Sequence, residues 1–243
     1  MSVLQPGLDQ RLERVRERFE KACLDAQRSV NDVTLIAVGK TFPISAIEQA
    51  WALGQRHFGE NYVQEGVEKI AAMKLAHPED PGVWHFIGPL QSNKTRLVAE
   101  NFDWMHTIDR LKIAERLSLQ RPEQLPDLNV LIEVNISGEA TKSGVLPESA
   151  LDLAKAIAPL PHLRLRGLMA IPAPSTDPHR QAQVFRQMKA LFDKVSSHIE
   201  GLDTLSMGMS ADMAVAIAEG STMVRIGSAI FGPRDYGQSS PSR

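Results

Sequence analysis

Lys40 is the residue whose type and position in this sequence most favour covalent chemistry. It ends the run Val33–Lys40, VTLIAVGK, whose β-branched and aliphatic residues predict a strand buried on both faces. A lysine at the carboxyl end of such a strand lies at the rim of a sheet, where low-dielectric walls favour the neutral, nucleophilic amine. The expected chemistry is Schiff-base formation. Because many strand-end lysines are only solvated or ion-paired charges, the rest of the chain must support this interpretation.

Ser210, Gly227 and Ser228 follow the last two predicted strands, in places where a phosphate group can bind. Backbone N–H groups at tight glycine turns attract anions, and a phosphate site after strands seven and eight recurs in barrels. The alternative is structural: Ser210 caps the next helix, Asp212 satisfies the helix dipole, and Gly227 permits close packing. Together with Lys40, the phosphate interpretation suits a phosphorylated aldehyde. Pyridoxal 5'-phosphate (PLP) is the obvious candidate, since its aldehyde and its phosphate must be held at opposite ends.

Arg225 lies two residues before Gly227, so on a strand its side chain points to the same face, toward the interior or mouth of a barrel. Arginine only donates hydrogen bonds and stays charged, so opposite a pyridine nitrogen it would keep that nitrogen unprotonated. The cofactor would then be a weaker electron sink. An ion pair with an interior acid such as Glu133 is an equally good interpretation from the sequence alone.

These residues need a scaffold that brings both ends of the chain together. Apolar residues at three- and four-residue spacing predict an amphipathic helix over residues 8–29. Eight strand patterns then alternate with seven helical patterns, which predicts an α/β fold, a (β/α)8 TIM barrel over residues 33–235. We expect one domain over residues 1–243, ending in a disordered tail at 237–243. An open doubly wound sheet is the alternative, but no G-x-G-x-x-G follows the first strand.

The composition excludes several classes of function. The 243 residues have a formal net charge of −2 with the charges interleaved, so we expect no binding to nucleic acid or to a membrane surface. No apolar run approaches membrane-spanning length, and Cys23 is the only cysteine, which indicates a reducing, cytoplasmic location. The seven histidines are dispersed without the close spacing of a helix-borne zinc site, so we expect no metal.

Seven motifs lie between about Val33 and Gly232: AVGK, HFGENYVQE, WHFIGPLQSNK, EVNISGEATKSG, GLMAI, LSMGMSADMAVAIAEGST and VRIGSAIFG. This series resembles the YggS/PROSC family of PLP-binding homeostasis proteins, which are relatives of the alanine racemase N-terminal barrel. The resemblance implies that Lys40 forms the Schiff base with PLP and that Arg225 faces the pyridine nitrogen. It places the phosphate at Ser210 and the backbone of Gly227 and Ser228, and it implies three further pocket neighbours, Asn61, His85 and Met207.

The sequence also differs from alanine racemases, which append a C-terminal β-domain carrying a catalytic tyrosine for the partner subunit. This chain stops soon after strand eight, and Tyr236 is no substitute. Proton transfer on both faces of the cofactor needs a second acid or base opposite Lys40, and no positioned candidate is evident. We therefore predict a monomeric PLP carrier without catalytic residues, which buffers PLP and hands it to apo-PLP enzymes.

Two alternative functions remain open, and a purely structural or interaction module ranks last because it leaves the strand-end lysine and the phosphate site without a role. The chain could be a PLP-dependent amino-acid racemase or decarboxylase, or a cofactor-free aldolase that uses Lys40 on a sugar phosphate. Separately, Lys142 lies in a glycine-containing loop after strand five, where its amine could capture or pass on the aldehyde. A solvated surface lysine is the simpler interpretation of Lys142.

Overall fold

The computed structural model describes residues 6–139 and 141–233, and within these ranges the chain forms a closed barrel of eight parallel strands. The strands are β1 Thr34–Val38, β2 His57–Glu60, β3 Val83–Phe86, β4 Trp104–Ile108, β5 Leu128–Glu133, β6 Leu163–Met169, β7 Thr204–Ser206 and β8 Met223–Ile226. Each strand pairs with the next along the chain, and β8 pairs with β1, with Arg225 opposite Ile36. The predicted barrel is confirmed, and the open-sheet alternative is wrong.

Nine α-helices occur in the described ranges, one before β1 and the others after the strands. They are α1 Leu8–Asp25, α2 Ile44–Ala52, α3 Val63–Ala76, α4 Thr95–Asn101, α5 Leu111–Gln120, α6 Ala150–Ile157, α7 Pro178–Ser196, α8 Met213–Ala218 and α9 Ser228–Phe231. Among these described helices, none combines the length and apolarity needed to cross a membrane.

Two boundaries differ from the prediction. The helix predicted over residues 8–29 ends at Asp25, because Gln27 has a φ of +55°, a left-handed conformation that cannot continue a right-handed helix. The first strand ends at Val38 rather than at Lys40. The chain turns there, and the N–H of Phe42 donates to the carbonyl oxygen of Gly39 over 3.0 Å. The predicted tail over residues 237–243 lies outside the described residues.

Apolar side chains fill the space between strands and helices, whereas the barrel interior contains both apolar and polar side chains. Five buried residues form a small apolar cluster separate from the main core: Ile36, Trp104, Leu131, Met169 and Met223. Branched aliphatic side chains usually fill the interior of such barrels. Here a second group of interior residues is polar, and it includes His85, His106 and Ser206, each completely buried.

Helix α1 packs against α8 and α9, which follow the last two strands, and against α2, which follows the first strand. Its apolar face, which includes Leu12 and Phe19, is buried. Two of its arginines donate to backbone carbonyl groups from the end of the chain: Arg11 Nε to Ile230 over 2.8 Å, and Arg18 Nη2 to Ser210 over 2.9 Å. The helix therefore supports the part of the barrel that carries the predicted phosphate site.

Candidate functional site

A cavity of about 440 Å³ opens at the carboxyl end of the barrel and brings together six of the eight predicted site residues. Its lining residues come from both ends of the chain, because β1 and β8 are neighbours. The lining consists of Val38, Lys40, Asn61, Ile87, Ile171, Met209, Ser210, Ala211, Arg225, Gly227 and Ser228. The cavity thus combines an amine, a guanidinium group and hydroxyl groups with apolar walls, as expected of a small-molecule site.

Lys40 lies in a turn that two side chains of α3 hold from either side. Lys69 Nζ donates to the carbonyl oxygen of Gly39 over 2.7 Å, and the N–H of Thr41 donates to Glu65 Oε1 over 2.6 Å. Thr41 has a φ of +69°, which is unfavourable for a β-branched residue and persists only where the surroundings enforce it. We call Glu65 and Lys69 the α3 clamp. It fixes the backbone on both sides of the amine-bearing residue.

A buried carboxylate completes this arrangement. Lys69 Nζ also contacts Glu60 Oε1 over 2.8 Å and Glu65 Oε1 over 2.6 Å, so all three ammonium hydrogens have acceptors. Glu60 is completely buried, and its Oε2 has no hydrogen-bond partner among the residues that the structure describes. Burial raises the pKa of Glu60 to about 7, although Lys69 acts in the opposite direction. The clamp therefore depends on one buried cation that neutralises a carboxylate with a high desolvation cost.

Arg225 is anchored by hydrogen bonds rather than by the alternative ion pair with Glu133. Its Nη1 donates to Ser206 Oγ over 2.6 Å, and its Nη2 donates to the carbonyl oxygen of Ala170 over 3.0 Å. Burial lowers the pKa of Arg225 to about 10, while Asp212 and Glu133 raise it through space. The guanidinium group accordingly stays positively charged at neutral pH at the wall of the cavity.

The structure also bears on the alternative roles of Ser210 and Gly227. The residue that precedes α8 is Asp212, not Ser210, and among the described residues no side chain caps this helix. Asp212 Oδ1 instead accepts a hydrogen bond from the N–H of Met209 over 2.6 Å. A Cβ placed on Gly227 would lie 3.5 Å from the carbonyl oxygen of Val38, an ordinary contact. Close packing therefore does not require a glycine at position 227. The helix-cap and packing interpretations both lose their support.

His85 and Met207 were predicted as pocket neighbours, but neither lines the cavity. His85 lies inside β3 rather than at its end, and its ring faces the barrel interior, where it stacks on Trp104 with 5.4 Å between ring centroids. Met207 follows β7 and is completely buried in the main apolar core. Both side chains therefore lie outside the lining of the cavity, His85 in the middle of β3 and Met207 in the main apolar core.

Sequence reasoning missed the supporting residues around the site. Glu65 and Lys69 are four residues apart in a helical pattern, a spacing that indicates an ion pair but does not show that it reaches the turn at Lys40. Two apolar lining residues, Ile171 and Met209, are 41% and 38% exposed and form part of the cavity's outer edge. They lie in loops, where no periodicity reveals which way a side chain points.

Gly88→Ala should destabilise the protein by displacing the backbone of Asn61, which lines the cavity. A Cβ at position 88 would lie 2.1 Å from the carbonyl oxygen of Asn61, so the backbone at Asn61 must move. We expect a loss of about 1–3 kcal/mol in the free energy of unfolding, measured by urea titration. Gly227→Ala is the matched control, because its Cβ meets only an ordinary contact and should cost less. Equal costs for the two variants would contradict the packing argument.

Glu133, at the end of β5, gives a prediction for pH dependence. Burial raises its pKa to about 7, Asp109 raises it further, and Arg225 lowers it. The folded state therefore binds more protons than the unfolded state between about pH 4.5 and 7, so this group's contribution to stability falls as the pH rises through that window. Relative to Glu133→Gln, the wild type should lose roughly 1–3 kcal/mol between pH 5 and 8, measured by denaturant unfolding. A parallel pH dependence of both proteins would contradict this assignment.

Comparisons with known proteins concern the family and the fold of the chain. The chain matches the family described as alanine racemase, N-terminal domain, over residues 12–235. It is 58% identical over 229 residues to a protein of Escherichia coli (strain K12) named pyridoxal phosphate homeostasis protein, covering 93% of this chain and 96% of that relative. PipY of Synechococcus elongatus PCC7942, solved with PLP bound, is 33% identical with a TM-score of 0.79, covering 93% of this chain and 100% of PipY.

A more distant likeness concerns the fold alone. The alanine racemase of Clostridium difficile 630 is 15% identical with a TM-score of 0.67, and the match covers 93% of this chain but 57% of the racemase. By the extent of its family match and its identity to relatives of nearly equal length, the chain belongs to the alanine racemase N-terminal domain family and, within it, to the pyridoxal phosphate homeostasis proteins that its motifs resemble.

Proposed function

We propose that the chain binds PLP covalently through Lys40 in the cavity at the carboxyl end of the barrel, and that it serves vitamin B6 homeostasis by buffering or delivering this cofactor. The observation that carries the proposal is the joint presence of Lys40, Arg225, Gly227 and Ser228 around one cavity. The name of the Escherichia coli relative and the PLP bound to PipY support the same ligand.

The cavity fits the chemistry of PLP at each of its polar groups. Lys40 presents a primary amine for the aldehyde, and Ser210, Gly227 and Ser228 present hydroxyl and backbone donors for the phosphate. Arg225 presents a donor-only cation for the ring nitrogen. Asn61 belongs to the lining of the same cavity, and its buried Oδ1 has no hydrogen-bond partner among the described residues, so it is an available acceptor for a hydroxyl group of the ligand. An orphaned acceptor of this kind is expected where a ligand completes the site.

PLP supplies an aldehyde carbon that condenses reversibly with a primary amine and releases water. The chain's residues determine what this chemistry is used for. The α3 clamp holds the turn that carries Lys40, and Arg225 keeps a positive charge where it opposes protonation of the ring nitrogen. This arrangement retains the cofactor but weakens its ability to stabilise negative charge, which favours a carrier over a catalyst.

The experiment that tests the proposal is the visible absorption spectrum of the purified protein, followed by borohydride reduction and peptide mass mapping. We expect a yellow protein and a pyridoxyl adduct on the peptide that contains Lys40. A colourless protein that added PLP does not turn yellow would overturn the proposal and favour the sugar-phosphate aldolase. Turnover of an amino acid by the yellow protein would instead favour the racemase or decarboxylase.

Delivery to apo-PLP enzymes, a monomeric state and a cytoplasmic location stay predictions. To test delivery, the loaded protein is mixed with an apo-PLP enzyme in the presence of a scavenger that removes free PLP. Recovery of enzyme activity despite the scavenger indicates transfer by direct contact, and full suppression indicates release into solution. Analytical ultracentrifugation of the loaded protein tests the monomer.

A further inference from the structure

A column of polar side chains crosses the barrel interior from Arg225 toward the opposite end of the barrel. His57 Nδ1 lies 2.9 Å from His85 Nε2, and His85 Nδ1 lies 2.9 Å from His106 Nε2. His106 Nδ1 then lies 3.0 Å from Ser206 Oγ, which accepts from Arg225 Nη1 over 2.6 Å. We call His57, His85, His106 and Ser206 the histidine relay. It joins β2, β3, β4 and β7 to the arginine on β8.

The hydrogen-bond direction along the relay follows from the need to satisfy the hydroxyl group of Ser206. The guanidinium group of Arg225 can only donate, so Ser206 Oγ accepts from it, and the serine keeps one hydrogen to donate. This hydrogen is assigned to His106 Nδ1, because the reverse direction would leave a completely buried hydroxyl hydrogen without an acceptor among the described residues. His106 then carries its proton on Nε2 and donates to His85 Nδ1, and His85 donates from Nε2 to His57 Nδ1. This assignment gives the same Nε2–H tautomer to all three imidazoles.

The burial of the relay supports neutral imidazoles. Burial lowers the pKa of His57, and it lowers the pKa values of His85 and His106 well below the usual range. The positive charge of Arg225 lowers the pKa of His106 further, and the proximity of His106 and His57 also disfavours a charge on His85. Across residues 6–139 and 141–233, no group of His, Cys, Asp or Glu side chains is arranged to hold a metal ion. The short distances between their ring nitrogens show that the imidazoles hydrogen-bond to one another.

Three imidazoles in place of apolar side chains are costly to desolvate, even when they bond to one another. Chains of hydrogen bonds polarise each member, so a serine that donates to an imidazole is a stronger acceptor for its own donor. The relay leads to one charged side chain, Arg225, which is 4% exposed and has, within the described part of the chain, one other hydrogen-bond anchor, the carbonyl oxygen of Ala170. The relay is thus built to hold that guanidinium group.

We propose that Ser206, His106 and His85 are positioning residues that act through Arg225 and fix the donors that it presents to the cavity. The inference rests on the proposed function, because Arg225 would face the ring nitrogen of bound PLP. It adds that cofactor retention depends on residues that do not touch the cofactor. His85, which was predicted to neighbour the cofactor, would act on it at a distance instead.

The first test uses the protein without PLP, so it remains valid if the chain binds another ligand. Imidazole nitrogen resonances of ¹⁵N-histidine-labelled protein at pH 7 should show His57, His85 and His106 as neutral Nε2–H tautomers. The guanidinium signals of Arg225 should show slow exchange with water. A cationic imidazole, or an Nδ1–H tautomer at His106, would overturn the proposal.

The second test compares two substitutions at the centre of the relay. His106→Leu removes the acceptor for Ser206, whereas His106→Gln retains one acceptor and one donor. We expect His106→Leu to raise the Kd for PLP about tenfold, to shift the absorption maximum of the bound cofactor and to speed exchange at Arg225 in the PLP-free protein. His106→Gln should recover most of the wild-type Kd and spectrum.

The controls distinguish positioning from a structural role. His179→Gln replaces an exposed histidine on α7 and should change neither readout. A folded His106→Leu protein with wild-type exchange at Arg225, or with wild-type Kd and spectrum, would overturn the proposal. If His106→Leu fails to fold, the Kd and spectrum of His106→Gln and the tautomers of the wild type still test whether the relay positions Arg225. Failure of the wild type to bind PLP would reject the proposed function and leave the tautomer test standing.

Discussion

Replacement of Lys40 by alanine is expected to abolish the covalent PLP adduct while leaving the protein folded. Lys40 presents the primary amine at the cavity wall, and a half-buried residue at the rim of the barrel contributes little to the core. We expect the visible absorption and the borohydride-trapped adduct to disappear. The free energy of unfolding of the PLP-free protein should change by less than about 1 kcal/mol. Absorption spectroscopy, peptide mass mapping and urea titration measure the three quantities.

Lys142→Ala is the matched control for this experiment. Its side chain is 30% exposed and lies 3.3 Å from Glu139, as expected of a surface ion pair. The variant should retain the full cofactor stoichiometry and the wild-type rate of transfer to an apo-enzyme. Reduced transfer would revive a secondary role for Lys142. An adduct of wild-type yield in Lys40→Ala, attached to another lysine, would contradict the assignment of Lys40.

Lys69→Met is expected to be among the most destabilising single substitutions in the chain. It leaves Glu60, which is completely buried, without the cation that neutralises it, and it frees the carbonyl oxygen of Gly39. Removing one partner of a buried ion pair typically costs about 3–5 kcal/mol. We expect a loss of that size in the free energy of unfolding at pH 8, measured by denaturant titration, together with weaker PLP binding because the turn at Lys40 loosens.

Two comparisons test the physical cause. Lys74→Met, at an exposed position on the same helix, should change the free energy of unfolding by less than about 0.5 kcal/mol. Glu60→Gln introduced together with Lys69→Met should recover part of the loss, since no buried charge is left. The cost of Lys69→Met should also be smaller at pH 5, where Glu60 is protonated. A cost that is independent of pH and of Glu60 would show that packing, not charge, is responsible.

The sequence predicts the barrel and six residues that line the candidate cavity because both follow from local patterns. Eight strand patterns with short helical connections give the closed ring, and the carboxyl end of a parallel strand must reach the functional rim. Lys40, Arg225 and Gly227 are therefore accessible to reasoning from strand ends alone. Their convergence on one cavity depends on the pairing of β1 with β8, which sequence patterns allow but do not require.

The supporting contacts could not be predicted for a different physical reason. The α3 clamp joins residues 24 to 30 positions apart, and its effect depends on where the long side chains of Lys69 and Glu65 end. The sequence gives a partial indication of the histidine relay, because three neighbouring strands each carry a histidine. The sequence does not show that the rings point inward at compatible heights. Side-chain direction in the middle of a strand is settled by register and barrel shear, which are properties of the whole sheet.

The position of α1 has a consequence for the order in which the protein is made. The ribosome makes this helix before any strand of the barrel, yet Arg11 bonds to a residue 219 positions later, and Arg18 bonds to one 192 positions later. The nascent chain therefore carries an exposed apolar helix face while all eight strands are made, a situation that favours chaperone binding and slow closure. Because Lys40 follows β1 whereas Gly227 and Ser228 follow β8, the complete pocket can assemble only after β8 has been made.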